Sequence, residues 1–175
     1  MTQKVPGSMT TGVVQQTGDE TIAGNKTFSG LVSLTSGQLK FPATQVPSAD
    51  ANTLDDYEEG TFDGTLTGCT TTPTITFRYV KIGGMVTISH NTPASLGGTS
   101  NATTKTITGV PAALRPSVST NLGYWTAQDN GGAFDVATVN LSTAGEHTLG
   151  KGAAGGVWTN LGIFFVVPSA FTYPL

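Results

Sequence analysis

Thr74–His90 reads TITFRYVKIGGMVTISH, and the fold turns on this stretch. Ile75, Phe77 and Tyr79 alternate with Thr76, Arg78 and Val80, the period of two that sends successive side chains to opposite faces of a strand. Gly83-Gly84 supplies a two-residue turn that tolerates positive φ. Closing the chain there sets Tyr79 opposite Ile88 and Phe77 opposite His90. Ile75, Phe77, Tyr79, Val86 and Ile88 then share one face. A hairpin with one apolar face calls for a core to cover it.

The rest of the chain repeats the signal more weakly. Strands are predicted at Thr104–Gly109, Asn121–Gln128, Ala133–Ser142 and Val157–Val167, separated by the clusters GGTSN, VPAALRPS, DNGG and GKGAAGG. No apolar stripe of helical period runs beyond two turns. The chain carries 31 threonines and 23 glycines in 175 residues; threonine is β-branched and favours strands, while glycine weakens helices and supplies turns. Many short strands with turn-rich spacing predict an all-β head, an antiparallel β-sandwich of jelly-roll-like type, over residues 56–175.

Composition also excludes functions. Charged residues are 11% of the chain, where about 25% is usual. The eight Lys and Arg are scattered singly and the formal net charge is −3, so no nucleic-acid partner is expected. No run of about 18 apolar residues exists, and no membrane insertion is expected. The N-terminal MTQKVPGSM lacks the apolar region of a secretion signal. One cysteine, Cys69, forms no intrachain disulfide and reads as a small apolar residue. His90 and His147 lie far apart in the sequence, against a Cys/His zinc site. No cofactor is implied. Asn25, Asn101 and Asn140 each open an Asn-x-Ser/Thr triplet, a chance match in a threonine-rich chain.

Residues 1–55 differ from the remainder. Their larger apolar side chains are sparse: Val13, Val14, Ile22, Phe28, Leu31, Val32, Leu34, Leu39 and Phe41. That is too little to offset roughly 1–2 kcal/mol of backbone entropy per ordered residue. Either this part is disordered or it buries those side chains against copies of itself. The spacing is not heptad, so no coiled coil is predicted. Pro42 and Pro47 keep their neighbours extended. Asp50, Asp55, Asp56, Glu58, Glu59 and Asp63 hold six of the eleven acids. Asp55-Asp56 and Glu58-Glu59 suit a short helical turn capped by Gly60, at the junction of stalk and head.

Two segments are similar to a known family. TGDETIAGNKTFSG (17–30) resembles a repeat of bacteriophage tail-fibre proteins. FPATQVPSADANTLDDYEEGTF (41–62) resembles the segment preceding the C-terminal domain of many phage fibre and appendage proteins. There it commonly runs into Trp-x-Pro after Glu-Glu-Gly-Thr; here Phe62-Asp63-Gly64 follows. YVKIGGMVTIS and VPAALRP also look like recurring pieces of those domains. The matches cover roughly half the chain in the family's usual order. The resemblance implies an intertwined homotrimer located in the virion tail. An N-terminal attachment segment and shaft (1–55) would bind other tail proteins. The C-terminal head would touch the bacterial surface, with a saccharide or lipopolysaccharide as partner. A purely structural fibre, or a collar or baseplate component without a receptor, is the alternative.

Binding, not catalysis, is the chemistry expected of the head. The chain has no Gly-x-Ser-x-Gly elbow, and no spacing singles out a carboxylate pair among Asp129, Asp135 and Glu146. A capsule-degrading enzyme is therefore the weakest reading. The acids at 55–59 lack the Asp-x-Asp-x-Asp-Gly pattern of a calcium loop and read as a solvated turn rather than a metal site. An aromatic ring offers a flat apolar patch to the C–H face of a sugar. Tyr124 and Trp125 point to opposite faces of one strand, so one of them is exposed or lies in an interface. Gln128, Asp129 and Asn130 add polar groups on the following loop. Trp158, after GKGAAGG, completes the receptor-contact candidates. His90 is expected as a core-edge or hydrogen-bonded histidine, and His147 as exposed.

Overall fold

The structure, a computed structural model, describes residues 23–25, 27–42, 53–54, 57–71, 74–90, 96–166 and 170–175. The chain divides into two units, Met1–Leu39 and Lys40–Leu175. In the first, the described residues form neither helix nor strand and are exposed throughout, Leu31 at 94%. No apolar side chain among them finds a core, as their sparse spacing implies. Val13, Val14, Ile22, Pro47, Asp50, Asp55 and Asp56 lie outside the described residues.

The second unit is all β. Its strands are β1 (Tyr57–Leu66), β2 (Thr74–Ile82), β3 (Met85–His90), β4 (Leu96–Thr99), β5 (Lys105–Thr108), β6 (Thr120–Asp129), β7 (Phe134–Leu141), β8 (His147–Lys151), β9 (Ile163–Val166) and β10 (Ala170–Pro174). A 3₁₀ turn at Ala112–Leu114 lies within VPAALRPS. Among the described residues all pairings between strands are antiparallel, and ten strands form one sheet in the order β10-β3-β2-β1-β5-β8-β7-β6-β9-β4. Two three-stranded meanders, β1–β2–β3 and β6–β7–β8, are joined through β5. The expected two-sheet sandwich is thus realised as a single sheet folded back on itself.

The register of the central hairpin is the one its sequence predicts. Phe77 faces His90 and Tyr79 faces Ile88, and Ile75, Phe77, Val86 and Ile88 are buried. Across the core, Trp125 of β6 stacks on Phe171 of β10 with centroids 5.1 Å apart. His90 lies 5.2 Å from the Trp125 ring, and His147 lies 5.9 Å from both Trp125 and Phe77. These rings bring the two meanders together, because burying large apolar area is the main favourable term in folding.

Three sequence readings are corrected. The acidic stretch does not close as a helical turn at Gly60; Tyr57–Gly60 opens β1. A side chain at Gly60 would meet the Tyr79 ring at 2.9 Å, and the Tyr79 hydroxyl donates to Glu58 Oε1 at 2.5 Å. This cross-strand packing fixes the segment as strand. His147 is fully buried, not exposed. The turn closes one residue earlier, where Ser142 N donates to Glu146 O at 2.9 Å. His147 is therefore the first inward side chain of β8, opposite Leu141 and Ile107. Finally, GGTSN does not only separate strands: its glycines belong to β4, which pairs with β9 at the sheet edge.

Candidate functional site

The outward face of β6 and β7 is set by a local irregularity. The register between the two strands shifts at Asn121/Gly123, and Asn121 Oδ1 accepts from Gly123 N at 2.7 Å. The extra residue lets Leu122 and Trp125, three positions apart, both turn inward. Tyr124 is thereby sent outward, 60% exposed, while Trp125 is 1% exposed. Of this adjacent pair, one ring is core and the other surface.

Tyr124 has company that the sequence did not single out. Gln128 lies opposite Phe134, and Thr126 opposite Val136. Phe134 is 62% and Val136 41% exposed. The face therefore presents two exposed aromatic rings and a valine beside the Gln128 amide, whose Nε2 donates to Gly132 O at 2.6 Å. Period-two reading of Phe134 and Val136 against Thr126 and Gln128 was the available signal, but it needed the β6–β7 register. At the end of the hairpin Gly132 N donates to Asp129 O at 3.0 Å. Asn130 and Gly131 sit at φ 55° and 66°, a primed turn that an Asn-Gly pair adopts at little cost. Asn130 is exposed.

The other candidates are placed elsewhere. Trp125 and Trp158 are each 1% exposed and cannot meet a receptor on the surface of this unit. Trp158 Nε1 donates to Leu149 O at 2.7 Å, and its ring meets Phe164 edge-on at 4.8 Å. Asp129 is 8% exposed and is occupied within the chain. Its Oδ2 takes the Lys151 ammonium at 2.5 Å and the Thr159 hydroxyl at 2.9 Å. Its Oδ1 accepts from Thr159 N at 3.2 Å. Burial works to raise its pKa, but Lys151 and Thr159 outweigh it and hold the carboxyl below its usual value. Asp129 therefore ties the hairpin turn to β8 and to the loop after Trp158.

Lys105 is fully buried, another residue the sequence did not mark. Its ammonium donates to Ser100 Oγ at 2.8 Å and to Ala102 O, and lies 5.2 Å from the Phe164 ring centre. Burial lowers its pKa and raises that of Cys69. Among the described residues, no group of three or more His, Cys, Asp or Glu side chains is placed to hold a metal ion. No helix among them is long and apolar enough to cross a membrane.

No family model and no curated protein matches the chain. Among solved structures, it is similar to a reovirus attachment protein, sigma1, solved in complex with alpha-2,3-sialyllactose. Identity is 17% and the TM-score 0.45, over 67% of this chain and 66% of that one. The match thus spans just under two thirds of the neighbour's length.

Proposed function

We propose that the chain is a tail-fibre protein of a bacteriophage whose C-terminal head binds a saccharide on the host surface. The N-terminal part forms a trimeric shaft and attaches to other tail proteins. The observation that carries this reading is the outward β6–β7 face. Tyr124 and Phe134 are both more than half exposed on a paired hairpin, with Gln128 and Asn130 close by. Exposed aromatic side chains with adjacent amides are the groups that pack against a sugar ring and bond its hydroxyls. The similarity of residues 17–30 and 41–62 to phage fibre segments supports the virion setting. Three copies per fibre and several fibres per particle multiply weak single-site contacts into firm attachment.

The test is adsorption competition on the host that supports the phage. Purified fibre added before the particles is expected to block adsorption saturably. Tyr124→Ala with Phe134→Ala is expected to weaken the block at least tenfold. Folded fibre that neither binds cells nor protects them would leave a structural virion component in its place.

A further inference from the structure

A second surface carries chemistry that no sequence motif brings together. On the outward side of β1–β2–β3, Thr61, Arg78 and Ser89 are cross-strand partners in one row. Glu59 and Val80 are partners in the next row, and Tyr57 and Ile82 in the row after that. A groove of about 540 Å³ opens here, lined by Glu59, Thr61, Arg78, Val80 and Ser89 together with the backbone side of Gly60 and Tyr79. That volume falls within the roughly 300–1,000 Å³ range of small-ligand sites.

The two charges in it are not spent on each other. Glu59 and Arg78 lie on the same face one row apart and form no ion pair, and Arg78 has no hydrogen-bond partner among the described residues. One oxygen of Glu59 is held, because the Tyr57 hydroxyl donates to Oε2 at 2.9 Å. That bond raises the Tyr57 phenol pKa, so the donor keeps its proton. Oε1 is left to accept from elsewhere. The Tyr57 ring, 42% exposed, lies on the same face as Glu59, one row further along β1.

We infer that this groove is a second saccharide subsite, built for an uncharged sugar with adjacent hydroxyl groups. The inference rests on the receptor-binding reading above. A carboxylate accepts the proton of one hydroxyl while a guanidinium donates to the oxygen of its neighbour, and two groups on one ring satisfy both at once. Thr61 and Ser89 can bond further hydroxyls, Val80 gives an apolar floor, and Tyr57 offers a ring to the sugar's C–H face. An anionic ligand is disfavoured by Glu59, and an apolar one by the unpaired charges. In the sheet, β5 and β8 stand between this groove and the β6–β7 face, so the two sites are separable by mutation.

The experiment is binding of the full chain to an array of neutral bacterial surface polysaccharides, alongside Glu59→Gln, Arg78→Gln and Tyr124→Ala. All three replaced side chains are exposed, and unchanged thermal midpoints will confirm folding. Arg78→Lys, which keeps the charge but loses the fork, serves as a milder variant. Losing a hydrogen bond to a charged group is expected to weaken binding about tenfold or more for Glu59→Gln and Arg78→Gln. Binding by both within twofold of the parent chain overturns the groove. If Tyr124→Ala alone abolishes it, the receptor reading survives without this subsite. A parent chain that binds cells but no array saccharide also removes the subsite. One that binds neither removes both proposals.

Discussion

Five nitrogen atoms at the centre of the head are buried without a hydrogen-bond partner among the described residues: both of His90, both of His147, and Nε1 of Trp125. Burial lowers the pKa of each histidine from 6.5 to about 4; at His147 the neighbouring Ile107 backbone works against this shift and the charge of His90 adds to it. Above pH 6.5 both folded and unfolded chains hold these imidazoles neutral, and stability is at its full value. Between 6.5 and 4 only the unfolded chain takes up the protons, so stability falls as pH falls. Each histidine contributes a loss of about 3 kcal/mol by pH 4, as an upper figure. Denaturant midpoints measured from pH 7.5 to 4 are expected to drop steeply, and His90→Leu or His147→Leu to flatten the curve. A midpoint that stays level to pH 4.5 would show the imidazoles to be solvated or paired. Asp129 belongs to this scale too. Asp129→Ala removes the acceptor of Lys151 and Thr159 and is expected to cost about 2 kcal/mol. Its signature is lowered thermal stability with an unchanged affinity per folded molecule, since the carboxylate faces the chain and not the receptor.

At the scale of elements, Thr74–His90 was legible because its alternation and its glycine turn agree, and a one-residue slip would have turned every apolar side chain outward. β8 was not legible: HTLGK holds one large apolar residue, and His147 reads as polar until the sheet buries it. Gly97 and Gly98 of β4 likewise carry no strand signal of their own. Half of the proposed binding face was legible as well. Tyr124 and Trp125 had to diverge, but only the register shift at Gly123 decides which ring turns inward. Phe134 became a candidate only through its pairing with Gln128. Long-range pairing also gives the C-terminal elements their weight. Phe164 and Val166 of β9 are fully buried, and the Tyr173 hydroxyl of β10 donates to Leu114 O at 2.7 Å. Truncation after Gly162 removes both strands, uncovers Trp125 and the edge of β3, and is expected to abolish soluble folded protein. Recovery of a folded trimer from that truncation, seen by circular dichroism and light scattering, would refute this account of the core.

For the whole molecule the question is what holds the N-terminal part. Its composition could be read either as disorder or as association, and the single-chain exposure of its described residues is compatible with both. Phe28, Leu31 and Leu39 are 69%, 94% and 73% exposed within the single chain. Side chains of this size gain about 1.5–3 kcal/mol each when fully buried, and nothing among the described residues of their own unit offers that burial. Copies of the same segment would, which is the physical content of the proposed trimeric shaft. The head, by contrast, encloses its own core of tryptophan, phenylalanine and aliphatic side chains. Association and head folding are therefore expected to separate under mutation. Sedimentation equilibrium of the full chain should give three copies per particle. Leu31→Asp with Leu39→Asp should shift it to single chains at micromolar concentration, because a charge in a shared apolar contact is costly. The thermal midpoint of the head should move by no more than a few degrees, and host adsorption should weaken far more than binding to an isolated saccharide, because avidity is lost while each site remains. A parent chain that sediments as a single copy would remove the trimeric shaft, and with it the multivalent part of the proposed function.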